Sequence, residues 1–143
     1  MIFSERLYKL LNKDEFEWVA LHESAHYLMR HNLRFALIQI TILFFGVNSV
    51  MSFPMVARYI IPYFVLLALI YIQLVKWFEY QADLYAVKKM DNPKGLITAN
   101  IKMKKINRFL NSSNFIYKLL VIQIPYNERI KLAENELKLR KNK

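Results

Sequence analysis

The sequence is dominated by an apolar block in the middle of the chain. Residues 35–57 contain no charged side chain, and neither do residues 59–75, so Arg58 is the one charge in the block. Each stretch is close to the roughly 20 residues with which an α-helix crosses a bilayer core. We therefore predict a hairpin of two membrane-spanning helices, at about 35–53 and 59–75.

A short polar segment predicts the turn of this hairpin. Polar and helix-breaking residues cluster there: Asn48, Ser49, Ser52, Pro54 and Arg58. The alternative is a pair of buried helices in a soluble domain, which is disfavoured because a 143-residue chain seldom holds two adjacent apolar helices of that length. No signal peptide is expected, since residues 1–33 contain no apolar core segment.

Helices are also predicted on both sides of the block. Asn12 can cap a helix from about Lys13 to His31, whose acidic first turn suits the positive end of the helix dipole. The second span is predicted to continue as helix to about Lys89. The remaining predictions are a helix from Pro93 to about Asn111, a loop at 111–114, a stretch at 115–124 ambiguous between strand and helix, and a charged helix from Tyr126 to about Leu139.

Composition narrows the chemistry. The chain has no cysteine, so any metal must be held by histidine and carboxylate. The net charge of +10 lies mostly after the apolar block: residues 76–143 hold fifteen basic and six acidic side chains, whereas residues 1–34 hold five of each. This distribution favours a membrane-facing basic surface, so we expect a lipid bilayer as a partner and no nucleic acid.

The charges beside the block predict its orientation. The turn offers Arg58 alone, whereas the flanks offer Arg30, Arg34, Lys76, Lys88 and Lys89. Because positive loops stay on the cytoplasmic side, both termini are predicted to be cytoplasmic. A site built from residues before and after the block needs an even number of spans, and two are predicted.

The first predicted helix carries a candidate metal motif, His22-Glu23-Ser24-Ala25-His26. A spacing of four places His22 and His26 on one helix face, where they can hold one Zn²⁺, with Glu23 beside a metal-bound water as general base. The alternative is a solvated polar face, since the motif fixes only three residues. Apolar neighbours such as Trp18 favour the metal, because half-buried imidazoles need partners.

Two carboxylates at the exit of the second span complete the candidate site. Glu79 would give a His₂Glu zinc site with the fourth position left for water. Asp83, one turn further along, can accept the N–H of a liganding imidazole and fix its tautomer. We therefore expect one zinc ion per chain, just above the cytoplasmic surface of the bilayer.

These residues resemble a known family, the membrane zinc peptidases that include the HtpX heat-shock protease and the CAAX prenyl proteases, of the gluzincin class. Residues 10–26 look like the stretch leading into that family's active-site helix, and residues 79–86 are similar to its Glu-x-x-Ala-Asp motif. The later segments at 91–93 and 125–130 match as well. The resemblance therefore covers nearly the whole chain.

The resemblance implies a fold class and a domain organisation. The fold would be mainly α, a minimal gluzincin-like domain over residues 1–143 with the hairpin inserted between the active-site helix and the third-ligand helix. Its regions would be the active-site helix region at 1–34, the two spans at 35–75, and the third-ligand helix with the C-terminal helices at 76–143.

The resemblance also implies a function. The protein would be a zinc-dependent metalloendopeptidase at the cytoplasmic membrane surface, hydrolysing membrane or membrane-proximal polypeptides with a zinc-bound water that Glu23 activates. The alternatives are a catalytically degenerate zinc-binding membrane module that binds partner proteins, and an unrelated membrane protein with a chance match.

Two departures from the family concern the cleft. Ile124 stands where family members usually carry a histidine that assists the transition state. The family also has an edge strand ahead of the region where this chain begins, which would hold substrate by strand addition. A partner subunit that supplies this strand is therefore among the expectations.

Four further features have expected roles. His31, nine residues after His22, would lie on the opposite helix face and is expected to be solvated or to face lipid headgroups. Arg129 could stabilise an oxyanion or pair with Asp83, and the alternative is a surface salt bridge near Glu128 and Glu134. Tyr126 is a second candidate oxyanion donor.

The basic run after the apolar block is expected to form a polar helix face attracted to anionic lipid: Lys102, Lys104, Lys105 and Arg108.

Overall fold

The structure, a computed structural model, describes residues 11–52, 59–106 and 124–142. Every regular element within these ranges is a helix, which confirms the mainly α fold class. The helices are α1 (Lys13–Leu28), α2 (His31–Ser52), α3 (Ile60–Lys89), α4 (Lys94–Ile106) and α5 (Tyr126–Lys141). The predicted loop at 111–114, and residues 115–123 of the ambiguous stretch, lie outside the described residues.

Helix α1 begins at the predicted cap. The side chain of Asn12 accepts a hydrogen bond from the backbone N–H of Glu15, at 2.9 Å, and the Glu15 carboxylate accepts one from the backbone N–H of Asn12, also at 2.9 Å. This reciprocal pair satisfies two backbone donors that an uncapped helix start would leave without partners.

The predicted end of α1 at His31 is wrong. The helix ends at Leu28, and Arg30 adopts a left-handed conformation with φ of 53°. The backbone N–H of Arg30 bonds to the carbonyl of Tyr27, and His31 then begins α2. Hydrophobic periodicity did not indicate this break, because a left-handed residue that is not glycine is uncommon.

Helices α2 and α3 include the predicted apolar hairpin, and both are long and apolar enough to cross a membrane. The prediction that α3 continues to Lys89 is confirmed. Asn48 and Ser49, expected in the turn, lie within α2, where the Asn48 side chain donates to the Phe44 carbonyl at 2.7 Å. Such a bond to the preceding turn lets Asn48 remain within the helix.

The described core lies outside the hairpin, where α1, the second half of α3, α4 and α5 pack together. We call this group of helices the packed base. Its buried cluster comprises Trp18, Ala86, Val87, Met90, Leu96, Ala99 and Ala133. Ala82 and Ala86 on α3 are fully buried, and so is Ala25 on α1. Such small side chains let helices approach each other closely, and the packing of α1 against the second half of α3 positions the candidate site.

Two polar links join helices within the packed base. Arg140 on α5 donates to the carbonyls of Val87 and Met90, both at 3.0 Å, which satisfies acceptors at the end of α3. Lys102 on α4 pairs with the buried Glu15 at 2.7 Å, so this member of the predicted lipid-facing run has an internal partner. Burial alone would raise the pKa of Glu15, but hydrogen bonds from Lys102 and Asn12 outweigh it and lower that pKa.

Candidate metal centre

The packing of α1 on α3 brings the three predicted ligands together. One potential ligand atom from each of His22, His26 and Glu79 lies within 4.8 Å of the other two. The Nε2 atoms of His22 and His26 are 3.2 Å apart, and they lie 3.5 and 3.4 Å from the two carboxylate oxygens of Glu79. The three side chains therefore converge on one point.

This donor set fits a zinc ion. Two imidazole nitrogens and one carboxylate are the ligands of a common type of catalytic zinc site, which leaves a fourth position open. Both histidines direct Nε2 towards the cluster, because their Nδ1 atoms have other partners. Zn²⁺ would be held by His22, His26 and Glu79.

Asp83 contacts the imidazole of His22, as its spacing from Glu79 predicts. The Asp83 carboxylate lies 2.8 Å from Nδ1 of His22, and its side chain is 1% exposed. A carboxylate at this atom holds the proton on Nδ1 and leaves the lone pair of Nε2 for a metal. Burial alone would lower the pKa of His22, but hydrogen bonds with Asp83 and Glu79 outweigh it and raise that pKa to about 9.

Arg129 of α5 reaches both carboxylates. Its guanidinium lies 3.1 Å from Glu79 and 3.0 Å from Asp83, and it also sits 5.9 Å from the ring centroid of Trp18. Pairing with Asp83 was one of the three expectations for this residue, whereas the contact with Glu79 was not among them. Arg129 thus joins the last helix to the residues that would hold the metal.

The expectation that His31 is solvated is wrong. The turn at Arg30 brings it back to the site, where it is fully buried and its Nδ1 lies 2.8 Å from Nδ1 of His26. Its ring stacks on that of Phe78 with centroids 4.6 Å apart and an interplanar angle of 29°. In one continuous helix His31 would lie on the face opposite His22, but α1 ends at Leu28 and His31 begins α2.

The remaining candidates lie nearby in the sequence or in the fold. Glu23 follows His22 on α1 and is partly exposed. Tyr126 is the first residue of α5 and is buried, as is Ile124. The roles expected of Glu23, as general base, and of Tyr126, as oxyanion donor, therefore remain predictions.

A helix with two histidines one turn apart, packed against a glutamate of a second helix, is the arrangement of a metallopeptidase centre. The model of peptidase family M48 matches residues 1–134, which include every residue of the candidate centre. The chain belongs to peptidase family M48, a family of zinc-dependent metallopeptidases. Searches of curated proteins and of solved structures give no match.

Proposed function

We propose that the protein is a membrane zinc endopeptidase that resembles the HtpX and CAAX prenyl proteases within family M48. The observation that carries the proposal is the convergence of His22, His26 and Glu79 within 4.8 Å. These residues come from helices on either side of the apolar hairpin, which agrees with the order of elements in those proteases. Asp83 supports the ligand arrangement through its contact with His22.

The bound Zn²⁺ would supply a Lewis acid that polarises the substrate carbonyl and activates water. Glu23 accepts a proton from the attacking water as the water oxygen bonds to the carbonyl carbon. Glu23 then returns that proton to the amine nitrogen as the carbon–nitrogen bond breaks. The partial exposure of Glu23, next to the ligand His22, is consistent with this exchange.

Arg129 and Tyr126 have different roles in this proposal. Arg129 is already engaged by Glu79 and Asp83, so its guanidinium orients these carboxylates rather than a substrate oxyanion. Tyr126 remains a candidate donor to the oxyanion, since a phenol O–H can stabilise developing negative charge.

The membrane location is supported by the exposure of the hairpin. Almost none of either apolar stretch is buried within the protein. Such an apolar surface would be poorly tolerated in water and is typical of helices in contact with lipid. Both termini and the site would be cytoplasmic. The substrate would be a membrane or membrane-proximal polypeptide, and an edge strand from a partner subunit could help to hold it.

Cysteine labelling tests the orientation, because the chain has no native cysteine. Ser52→Cys marks the hairpin tip, whereas Lys13→Cys and Asn142→Cys mark exposed positions before and after the hairpin in the sequence. In intact cells, a reagent that does not cross membranes should label Ser52→Cys alone. Labelling of Lys13→Cys or Asn142→Cys to the same extent would contradict the orientation.

A second candidate is a degenerate member that keeps zinc but acts by binding partner proteins. It is favoured by one observation, the buried apolar Ile124 at the position where the family usually has a histidine. In this case Zn²⁺ would stabilise the packing of α1 on α3 and no peptide bond would be cleaved.

Cleavage of an unstructured reporter polypeptide by the purified full chain, in detergent or in lipid nanodiscs, separates the two candidates. Wild type loaded with zinc should cleave, and Glu23→Gln should bind zinc equally but lose at least about 100-fold in rate. A wild type that binds one zinc but does not cleave would support the degenerate candidate. Equal cleavage by both proteins would contradict the role of Glu23.

A further inference from the structure

His31 contacts one of the proposed zinc ligands. Its Nδ1 lies 2.8 Å from Nδ1 of His26, at the opposite side of the His26 ring from the metal cluster. A contact of this length between two ring nitrogens is a hydrogen bond in which one nitrogen donates and the other accepts. The direction of this bond decides which atoms of His26 carry a proton.

The proposed metal site determines which of the two histidines donates this hydrogen bond. Nε2 of His26 faces Nε2 of His22 and a carboxylate oxygen of Glu79, so it must offer a lone pair to hold a cation there. A neutral imidazole with a lone pair on Nε2 carries its hydrogen on Nδ1. His26 therefore donates from Nδ1, and His31 accepts at its own Nδ1.

The opposite edge of the His31 ring has a matching acceptor. When Nδ1 of His31 accepts, its hydrogen is on Nε2, and that atom is buried without a hydrogen bond of ordinary geometry among the described residues. The side-chain oxygen of Gln81 is buried in the same condition, and Gln81 is a polar neighbour of His31. One orphaned donor beside one orphaned acceptor is a complementary pair.

Packing holds the His31 ring in this orientation. It stacks on Phe78, which precedes Glu79, and it meets the His26 ring edge to face at 4.8 Å. A ring confined between two others cannot easily rotate to offer the wrong nitrogen.

We propose that His31 is a positioning residue of the metal centre, which fixes the tautomer and orientation of His26 by accepting its Nδ1–H. Gln81 accepts the Nε2–H of His31 in turn. The two imidazole ligands are thus supported differently, His22 by the charged Asp83 and His26 by a neutral imidazole. The inference rests on the proposed zinc site.

The test is zinc affinity, measured on the purified full chain by competition with a chelator of known affinity. His31→Leu removes the acceptor, and it should weaken zinc binding about 10- to 100-fold. His31→Asn is the matched control, because the amide oxygen of asparagine can lie near the place of Nδ1. It should bind zinc within about threefold of wild type.

The outcomes separate this inference from the zinc site itself. A wild type that binds no zinc would overturn the site, and with it the inference. A wild type that binds zinc, alongside His31→Leu with unchanged affinity, would overturn the inference alone. Equal weakening in His31→Leu and His31→Asn would also overturn it, since a bulk packing defect would then explain the loss.

A spectroscopic measurement on the wild type needs no variant. The chain has three histidines, so their ring nitrogens can be assigned by ¹⁵N NMR of the zinc-loaded wild type. His31 should show hydrogen on Nε2 and a bare Nδ1, and His26 should show hydrogen on Nδ1. Hydrogen on Nδ1 of His31 would contradict the proposed direction.

Discussion

The two halves of helix α3 have different surroundings although both are rich in apolar residues. The first half exposes large side chains such as Ile61 and Phe64, whereas the second half buries Phe78 and Val87. The second half also contains the buried Asp83, which has an ionic partner on α1 and another on α5. Apolar content alone therefore does not separate an exposed apolar surface from a protein core.

What separates the halves is the set of partners. Around the second half, α1, α4 and α5 form the packed base, and small alanines permit close approach. The first half contacts α2 through side chains such as Tyr71, which meets Phe35, and otherwise presents exposed apolar surface. The candidate metal centre lies where these two environments meet.

The two tryptophans of the chain test this contrast with the largest expected effect. Trp18 is 3% exposed in the packed base, whereas Trp77, at the junction with the hairpin, is 52% exposed. Trp18→Ala should lower the free energy of unfolding by about 3–5 kcal/mol, because it leaves a cavity, and Trp77→Ala by less than about 1 kcal/mol. Thermal or denaturant unfolding in one detergent measures both.

Lipid contact can be measured on the same residues. With phenylalanine at the other site, single-tryptophan proteins in brominated lipid should show quenching of Trp77 and little quenching of Trp18. Equal quenching of both would remove the distinction between packed base and hairpin.

The two glycines provide a smaller, matched contrast. A Cβ at Gly95 would clash with the backbone of Asp14, whereas a Cβ at Gly46 in α2 would meet the Tyr63 side chain at an ordinary 3.5 Å. Gly95→Ala should therefore destabilise by about 1–3 kcal/mol, since backbone must shift. Gly46→Ala should be neutral or stabilise by up to about 1 kcal/mol through its helix propensity. Equal effects in unfolding experiments would contradict the close contact between α1 and α4.

Metal-free protein should show a pH dependence that arises in the packed base. The pKa of His22 in the folded state is about 9, above its ordinary value near 6.5, so folding strengthens proton binding. This contribution is fully present below about pH 6.5 and is lost as the pH rises through 9. The melting temperature of the metal-free chain should fall over that window.

Asp83→Asn is the control for this pH dependence, because it removes the strongest of the interactions that raise the pKa of His22. The variant should show a flatter profile between pH 6.5 and 9 than wild type. An unchanged profile would mean that another group causes the dependence.

Much of the fold was predictable from local patterns. The Asn12 cap, the apolar stretches and the long α3 all depend on residues close together in the sequence, where helix geometry decides the outcome. The same geometry predicted that His22 and His26 share a face and that Asp83 lies one turn from Glu79. The pairing of these two helix segments followed from the even number of spans and from the family resemblance.

The contacts that were missed depend on tertiary structure. His31 reaches the site because Arg30 adopts a left-handed conformation, which no spacing rule indicates at an arginine. The contacts of Arg129 with Glu79 and of Arg140 with the end of α3 join residues far apart along the chain, so no local pattern connects them. Such contacts become visible only once the helices are packed.

The most direct test of the central claim is the zinc content of the purified protein and four variants. Wild type and Glu23→Gln should each carry one zinc per chain, since the proposed role of Glu23 is to activate water and not to bind the ion. His22→Ala, His26→Ala and Glu79→Ala should carry none after dialysis against a weak chelator. Stoichiometric zinc in any of these three alanine variants, or loss of zinc in Glu23→Gln to the same extent, would contradict the assignment of the metal centre.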